Sequence, residues 1–276
     1  MRPIGIFDSG VGGLSVLRSL CVLLPAEPAL YLADQAHVPY GPRPLEEVRQ
    51  FSEQITRYLL GEGAKLIVVA CNTASAAALQ HLRQAFPLVP FVGMEPAVKP
   101  AAEQTRSGVV GVLATPATFQ GALYASVVER FANGVTLLQS TCPGLVGQIE
   151  AGDLDGPVTR RILEEALGPM LEKGIDTVVL GCTHYPFVIP LIEQIAGAEV
   201  RVIDPAPAVA RQVRRLLDEY GLRAPEGSEH GMVRFATTGD VQGMEAALIR
   251  LMGEERGGEG VRWVEGEVKP GNHKGH

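Results

Sequence analysis

Two cysteines have the surroundings best suited to chemistry. Cys71 and Cys182 each follow an apolar, strand-like run and precede a helical pattern, and polar residues come next, Asn72-Thr73 and Thr183-His184. An isolated cysteine is usually a small buried hydrophobe. A thiol at the start of a helix, in contrast, ionises more readily, and a neighbouring histidine can relay its proton. Both positions are therefore candidates for acid–base catalysis.

An internal similarity suggests that the two cysteines face each other. Chance similarity among strand–helix units is the alternative interpretation, but three matches in the same order favour two similar lobes. Gly63–Thr73 aligns with Gly174–His184 at a displacement of 111 residues. The other two matches have similar displacements and pair Ile4–Ser9 with Val110–Thr115 and Glu95–Pro96 with Asp204–Pro205.

Paired thiols on facing lobes suit one type of reaction. If the thiols of Cys71 and Cys182 flank a substrate carbon, one can remove a proton and the other can return a proton to the opposite face. The configuration then inverts without a redox cofactor. A single nucleophilic cysteine would not need the second lobe to repeat the motif.

A glycine-rich loop, Asp8–Gly13, follows the first strand-like run. Its backbone N–H groups could approach an anion at the start of the next helix, although a tight strand–helix turn is the simpler interpretation. The loop matches neither the dinucleotide fingerprint nor a P-loop, so nucleotide binding has little support. A carboxylate at this strand end is unfavourable without a partner. Asp8 could therefore hold a substrate ammonium group or orient a thiol.

Several other residues are ambiguous when each is taken alone. Tyr40 lies in a loop rich in helix and strand breakers, where its hydroxyl could reach an anionic ligand. Packing of its ring within that loop is the favoured interpretation. Glu150 ends a helical stretch, and its pattern is typical of a solvated carboxylate. Cys21 lies on the apolar face of a predicted helix, as a core residue would, and Cys142 stays undecided.

The elements that must position these residues alternate between strands and helices. Runs such as Leu66–Ala70 and Val178–Leu180 are apolar throughout, which is typical of parallel strands covered on both faces. The sequence predicts an α/β fold of doubly wound parallel sheets, whose ligands lie outside the carboxyl ends of the strands. The predicted strands are 3–8, 29–33, 66–70, 89–93, 108–113, 135–139, 176–180, 200–203, 232–236 and 261–264. The predicted helices are 13–24, 45–60, 73–85, 97–106, 118–131, 143–151, 158–173, 187–196, 206–220 and 240–252.

Composition limits the classes of function. The chain has 276 residues and is 46% apolar, which accommodates two lobes with a large core. Its 24 basic and 31 acidic residues give a net charge of −7, which argues against nucleic acid and anionic membranes as partners. We expect no membrane span and no signal peptide. The four cysteines form no C-x-x-C pair, so we expect a reducing cytosol and no zinc framework.

Four segments together resemble the glutamate racemases of the aspartate/glutamate racemase superfamily, over most of the chain to about residue 264. They are Phe7–Gly13, Pro39–Gly41, Cys71–Ser75 and Gly181–Pro186. The resemblance implies two flavodoxin-like lobes with pseudo-two-fold similarity and an active site between them. It implies a discontinuous first lobe, 1–97 plus 208–264, and a second lobe, 98–207. We expect the remainder, 265–276, to be a flexible tail.

The same resemblance implies interconversion of L- and D-glutamate without a cofactor or metal, with Cys71 and Cys182 as the acid–base pair. Asp8, His184 and Glu150 match auxiliary catalytic positions. The expected role is supply of D-glutamate for peptidoglycan in a bacterial cytoplasm. The positions implied to contact the substrate are Asp8, Ser9, Pro39, Tyr40, Gly41, Asn72, Thr73, Thr115, Thr118, Thr183 and His184.

Three alternatives are open at the level of sequence. A racemase or decarboxylase of the same superfamily could act on aspartate or another small dicarboxylate. A two-lobed binding protein would have no need for paired thiols. A phosphotransferase would need a lysine and metal-binding carboxylates that the sequence does not bring together. The sequence also leaves the oligomeric state open between a monomer and a homodimer.

Overall fold

Parallel strands and covering helices alternate along the chain. The computed structural model describes residues 1–225, 227–253 and 255–271. The chain begins with β1 (Ile4–Asp8), α1 (Leu14–Leu23), β2 (Ala29–Ala33), α2 (Leu45–Gly61), β3 (Leu66–Val69), α3 (Asn72–Ala85), β4 (Phe91–Gly93) and α4 (Val98–Gln104). It continues with β5 (Val109–Ala114), α5 (Pro116–Gln120), α6 (Ala122–Phe131), β6 (Thr136–Ser140), α7 (Leu145–Ala151), α8 (Pro157–Leu171) and β7 (Thr177–Gly181). A 3₁₀ turn (Tyr185–Val188) precedes α9 (Ile189–Ala196), β8 (Arg201–Ile203), α10 (Ala206–Glu219), β9 (Val233–Thr237), α11 (Val241–Met252), β10 (Gly258–Val264) and β11 (Glu267–Pro270).

The strands form two sheets. The larger sheet has seven strands in the order β11-β10-β9-β2-β1-β3-β4, and the smaller one has four in the order β6-β5-β7-β8. Neighbouring strands are parallel throughout, except that β11 runs antiparallel to β10. The central strands β1, β3 and β7 are buried along their whole length, because helices cover both faces of their sheets. This architecture confirms the α/β prediction.

The two sheets repeat one topology. The order β2-β1-β3-β4 within the first sheet corresponds to β6-β5-β7-β8 in the second, and both follow the flavodoxin-like order. In this correspondence β1 matches β5 and β3 matches β7, as the internal sequence similarity requires. The carboxyl ends of these four strands carry the segments that begin at Asp8, Cys71, Thr115 and Cys182. The fold thus presents two equivalent sets of loops.

The predicted elements are confirmed with end shifts of up to three residues, apart from three differences. The single helix expected over 118–131 is two helices, because the backbone of Gly121 is extended between α5 and α6. The helix expected over 187–196 begins as a 3₁₀ turn and becomes α-helical at Ile189. The third difference is the strand β11, which falls within the segment expected to be a flexible tail.

The flexible-tail prediction for 265–276 is wrong over Glu267–Pro270. Glu265 and Gly266 both have positive φ, as the two central residues of a tight hairpin turn require, and they connect β10 to β11. Val268 is buried against the first lobe, which gives the hairpin an apolar contact. The last part of the predicted tail, 272–276, lies outside the described residues.

Strands β9, β10 and β11 extend the sheet of the first lobe, although they follow the second lobe in sequence. Helix α10 packs against α1 of the first lobe through an apolar face that includes Val209, Val213 and Leu217. The boundaries at 97/98 and 207/208 stay a prediction. Within the described part of the chain, no helix has the length and apolar character needed to cross a membrane.

A buried ion pair lies where β3 begins, at the edge of the sheet opposite the cysteines. Lys65 Nζ is 2.5 Å from Glu27 Oε2, and both side chains are buried. Glu27 also accepts the backbone N–H of Ala224 at 2.7 Å, and Arg223 lies 3.6 Å away. The pair therefore connects β3 to the turn before β2 and to the segment between α10 and β9.

We expect Lys65→Met to lower the free energy of unfolding by about 3 kcal/mol, because it leaves the buried Glu27 carboxylate with only the half-exposed Arg223 as a cation. Urea unfolding followed by circular dichroism measures this loss. Arg215→Ala is the matched control, since it breaks an exposed pair with Glu219 and should cost less than about 1 kcal/mol. Equal losses in the two variants would contradict the assigned role of the buried pair.

Candidate active site

A cavity of about 410 Å³ opens between the two lobes at the carboxyl ends of their central strands. Both cysteines of interest line it, one from each lobe. The other lining residues are Ser9, Pro39, Tyr40, Gly41, Pro42, Asn72, Thr73, Thr115, Pro116, Thr141, Cys142, Pro143, Gly144, Val146, Gly147, Thr183, His184 and Tyr185. Their surface is mainly apolar, with polar groups contributed by the ends of the strands. Such a cavity suits a small ligand with a few charged groups.

The thiol of Cys71 lies at the start of a helix, as the sequence predicts. Cys71 is the N-cap of α3, and its Sγ accepts the backbone N–H of Ala74 at 3.4 Å. The same Sγ lies 4.0 Å from the Ser9 hydroxyl. Burial raises the pKa of the Cys71 thiol well above its usual value, and the nearby charge of Asp8 adds to this effect. The group is therefore held as a neutral thiol.

Asp8 lies behind Cys71 rather than on the cavity wall. Its carboxylate accepts the backbone N–H groups of Ser9 at 2.7 Å and Gly13 at 2.6 Å, and the Thr183 hydroxyl at 3.3 Å. Burial raises the pKa of Asp8, and the opposing effects of His184, Cys71 and the loop N–H groups do not cancel it. Of the two roles considered for Asp8, the geometry favours orientation of the thiol over direct contact with a ligand.

The thiol of Cys182 is paired with a histidine. His184 Nδ1 lies 3.8 Å from Cys182 Sγ, and His184 Nε2 lies 2.6 Å from Glu150 Oε1. Burial lowers the pKa of His184, but the hydrogen bonds with Cys182 and Glu150 and the charge of Glu150 outweigh it, so the pKa is raised well above its usual value. The ring is therefore an imidazolium at neutral pH. The positive charge of this ring therefore lies next to Cys182 Sγ.

The expectation that Cys182 starts a helix is wrong in detail. The chain after Cys182 forms the 3₁₀ turn at Tyr185–Val188, and α9 begins only at Ile189. Pro186 and Pro190 restrict the backbone here, and neither can donate a helical hydrogen bond. The charge that acts on Cys182 comes from His184, whereas the N-terminus of α3 acts directly on Cys71.

The interpretation of Glu150 as a solvated carboxylate is also wrong. Its side chain is 15% exposed, because α7 places it against the first lobe. Besides the contact with His184, its Oε1 accepts the backbone N–H of Val11 at 2.9 Å. Burial raises the pKa of Glu150, but the hydrogen bond and charge of His184 and the Val11 N–H lower it overall. Glu150 is therefore a carboxylate paired with the imidazolium.

The glycine-rich loop Asp8–Gly13 makes room for these two side chains of the other lobe. A Cβ atom on Gly12 would overlap the imidazole ring of His184, and a Cβ atom on Gly10 would overlap the Glu150 carboxylate. Two carboxylates of the same chain accept the loop N–H groups: Glu150 accepts that of Val11, and Asp8 accepts those of Ser9 and Gly13. The glycines allow close approach between lobes, in addition to forming a strand–helix turn.

Polar side chains at the cavity wall are only partly satisfied. Both polar atoms of the Asn72 side chain are buried without a hydrogen-bond partner among the described residues. Thr73 Oγ1 lies 2.8 Å from Thr115 Oγ1, which lies 2.9 Å from Thr118 Oγ1, so hydroxyl groups connect the lobes. Thr118 lies behind Thr115 and does not line the cavity. Buried polar atoms without partners are costly, which indicates that Asn72 has a ligand to bind.

Tyr40 lies on the cavity wall, together with Pro39 and Gly41. Its hydroxyl donates a hydrogen bond of 2.6 Å to Asp34 Oδ2 and is buried. Its ring is 5.8 Å from that of Phe51. The structure therefore favours the loop-packing interpretation for the hydroxyl, while the ring and the neighbouring backbone form the wall.

Sequence reasoning missed the loop between β6 and α7. This loop contributes Thr141, Cys142, Pro143 and Gly144 to the cavity. Cys142 is buried there with a φ of 44°, and burial raises its pKa to about 12. The internal repeat could have indicated this loop. Strand β6 matches β2 in the repeated topology, and the β2–α2 loop carries Tyr40, so the β6–α7 loop is expected at the equivalent side of the cavity. Among the described residues, no group of three or more His, Cys, Asp or Glu side chains is placed to hold a metal ion.

Comparison with known proteins identifies close relatives. A family model described as Asp/Glu/Hydantoin racemase matches residues 4–213. A glutamate racemase of Roseiflexus sp. (strain RS-1) is 53% identical over 250 residues, which are 91% of this chain and 92% of that protein. A solved glutamate racemase isoform from Bacillus anthracis has a TM-score of 0.85 at 32% identity, with 96% and 98% of the chains covered. The Francisella tularensis subsp. tularensis SCHU S4 glutamate racemase, solved in complex with D-glutamate, has a TM-score of 0.81 at 29% identity, with 95% and 97% covered.

We expect Glu150→Gln to lower the pKa of His184, because the charge that opposes burial is lost while the burial stays. A protonated ring exists below its pKa, so the variant should lose the imidazolium at a lower pH than the wild type. NMR titration of ¹³C-labelled histidine measures the pKa of His184 in the wild type and in the variant. Glu53→Gln is the control, since it removes a carboxylate 2.7 Å from the half-exposed His81 and should leave the titration of His184 unchanged. An unaltered His184 titration in Glu150→Gln would refute the pairing.

Proposed function

The chain belongs to the Asp/Glu/Hydantoin racemase family, and we propose that it interconverts L- and D-glutamate by proton transfer between Cα and the thiols of Cys71 and Cys182. The observation that carries the proposal is that one thiol from each lobe lines a single cavity. The relatives named above are glutamate racemases, and one of them was solved with D-glutamate. These relatives support glutamate as the substrate.

Each turnover moves one proton onto a cysteine and another proton off the second cysteine. The thiolate takes the Cα proton, and the electron pair of the broken C–H bond stays on the carbon and its carboxylate. The thiol on the opposite side then gives its proton to Cα, which forms a C–H bond of inverted configuration. The protonation states of the two cysteines are exchanged at the end. The reverse reaction uses the same two groups in opposite roles.

The surroundings of the two cysteines differ. Burial and the charge of Asp8 raise the pKa of Cys71 and favour its neutral thiol, so Cys71 suits the role of the acid. Cys182, which lies beside the positively charged ring of His184, takes the complementary role of the base. Asp8 and Glu150 act as positioning residues, since Asp8 lies behind Cys71 and Glu150 holds His184 in place.

The carboxylate of the substrate has a set of donors at the strand ends. The side chain of Asn72 offers an N–H₂ group that has no partner among the described residues, and Asn72 and Thr73 begin α3, where backbone N–H groups lack an intrahelical partner. Ser9 and Thr73 also line the cavity and add hydroxyl groups, whereas the Thr183 hydroxyl donates to Asp8. Donors arranged in advance stabilise the charge that develops on the carboxylate as the α-proton leaves.

Exclusion of water would strengthen these contacts. Cys71 and Cys182 are 5% and 6% exposed, so a substrate between them would be largely shielded from solvent. Entry and release then require the lobes or the cavity loops to move apart. We also propose that the D-glutamate serves peptidoglycan synthesis in a bacterial cytoplasm, as the family resemblance implies.

We expect Cys71→Ala and Cys182→Ala each to reduce racemisation of L-glutamate by about 1,000-fold or more, because each removes one of the two proton carriers. Chiral chromatography of reactions without added cofactor measures the rates. Cys21→Ala is the matched control, since Cys21 lies on α1 outside the cavity, and it should retain wild-type activity.

The same assay with L-aspartate tests the substrate. A wild-type protein that racemises L-aspartate faster than L-glutamate would contradict the proposed specificity. Full activity in either Cys71→Ala or Cys182→Ala would contradict the two-thiol mechanism, whichever substrate is used.

A further inference from the structure

Asp34 is a buried carboxylate that the proposed proton transfer does not use. It directly follows β2, and its side chain is fully buried. Oδ2 accepts the Tyr40 hydroxyl at 2.6 Å and lies 2.9 Å from His37 Nδ1. Oδ1 accepts the Thr238 hydroxyl at 2.7 Å and the Trp263 indole N–H at 2.8 Å. Four side chains thus converge on one carboxylate.

These four side chains come from separate parts of the first lobe. His37 and Tyr40 belong to the β2–α2 loop, Thr238 follows β9, and Trp263 lies on β10. Burial raises the pKa of Asp34, but the hydrogen bonds from these side chains have the larger effect and lower the pKa below its usual value. The carboxylate therefore stays ionised. Charge-assisted hydrogen bonds are stronger than neutral ones and fix geometry more firmly. Asp34 therefore attaches the loop to the returning strands of the lobe.

The attached loop forms one wall of the cavity. Tyr40, Gly41 and Pro42 line it, and Gly41 packs so closely on Thr115 of the second lobe that an added Cβ would lie 3.1 Å from the Thr115 Cβ. The position of this loop therefore sets both the width of the cavity and one contact between the lobes. The bonds to Asp34 connect this loop to the returning strands, in addition to local bonds such as that from Arg43 Nε to the His37 carbonyl at 2.7 Å.

Aromatic packing supports the same arrangement. The His37 ring stacks on Phe51 of α2 at 4.0 Å, and the Trp263 ring lies 5.0 Å from His37 and 5.5 Å from Phe51. These contacts position the outer side of the loop. On the inner side, which faces the cavity, the Tyr40 hydroxyl donates to Asp34 and the Tyr40 carbonyl accepts the backbone N–H of Arg43 at 3.0 Å.

We propose that Asp34 is a positioning residue for substrate binding, which fixes the cavity wall at Tyr40 and Gly41 through the Tyr40 hydroxyl. The inference rests on the proposed racemase function. It assigns to Asp34 an effect on substrate affinity and little effect on the proton transfer, because Asp34 touches neither thiol. It also means that the hydrogen-bond partner of the Tyr40 hydroxyl is Asp34 and not the substrate.

Steady-state kinetics of a double-mutant cycle tests this proposal. We expect Asp34→Asn and Tyr40→Phe each to raise the KM for L-glutamate by about tenfold, as loss of one charge-assisted hydrogen bond would, with kcat within about threefold of the wild type. The double variant should be no worse than either single variant, because both changes break the same bond. Additive increases in KM would indicate that the Tyr40 hydroxyl binds the substrate directly, and would overturn the proposal.

Asp176→Asn is the matched control. Asp176 also accepts hydrogen bonds from two hydroxyl groups and two backbone N–H groups, from Thr105, Thr177, Arg106 and Ser107. It precedes β7, at the edge of the sheet away from the cavity. This variant should lower thermal stability without a change in KM. A tenfold rise in KM for Asp176→Asn as well would show that general destabilisation explains the result, and would overturn the positioning role.

The emission of Trp263 gives a readout independent of turnover. It is the single tryptophan of the chain and donates its N–H to Asp34, so Asp34→Asn should shift its emission while Asp176→Asn should not. If Asp34→Asn does not fold, Thr238→Val removes one bond to the carboxylate and should raise KM with kcat retained. Unchanged KM in Tyr40→Phe and in Thr238→Val would overturn the proposal.

The proposed function and this inference fail in different ways. A wild-type protein that neither binds nor racemises glutamate would overturn the proposed function and this inference with it. An active wild type with an unchanged KM in Asp34→Asn would overturn the role of Asp34 alone.

Discussion

Two identical chemical groups on opposite sides of one carbon must differ in protonation for inversion to proceed. A fold with two equivalent lobes works against this requirement, because it places both thiols in equivalent positions. The difference must come from side chains that break the symmetry. Asp8 stands beside Cys71, while Ala114 occupies the matching strand end of the second lobe. His184 and Glu150 stand beside Cys182, so one thiol has a carboxylate as its neighbour and the other has an imidazolium.

The side chains that create this difference also connect the lobes. Glu150 of the second lobe accepts the Val11 N–H of the first, and the Thr183 hydroxyl donates to Asp8 across the same boundary. The glycines at positions 10 and 12 permit this close approach, since any side chain there would displace Glu150 or His184. The electrostatics of the site therefore depend on the relative position of the lobes. Motion between the lobes would change the charges beside the cysteines as well as access to the cavity.

Much of the fold could be predicted from the sequence because its signals are local. Apolar strand runs and amphipathic helices gave the α/β class, and the repeated segment around Cys71 and Cys182 gave the two matching sheets. Contacts between distant segments could not be predicted in this way. The burial of Glu150 depends on the other lobe, and the partner of the Tyr40 hydroxyl, Asp34, is itself held by strands more than 200 residues away. The family resemblance implied an auxiliary role for Glu150 but gave no physical reason for it. The contact between Glu150 and His184 supplies that reason.

Early incorporation of solvent deuterium tests the central claim most directly. L-Glutamate is incubated with the wild-type protein in D₂O, and the reaction is stopped while little product has formed. The enantiomers are then separated, and mass spectrometry measures the deuterium content of each. Two thiols acting from opposite faces predict that the D-glutamate carries one deuterium at Cα while the remaining L-glutamate stays unlabelled. Deuterium appearing equally fast in both enantiomers, or D-glutamate that keeps its original proton, would indicate one base acting on both faces and contradict the account.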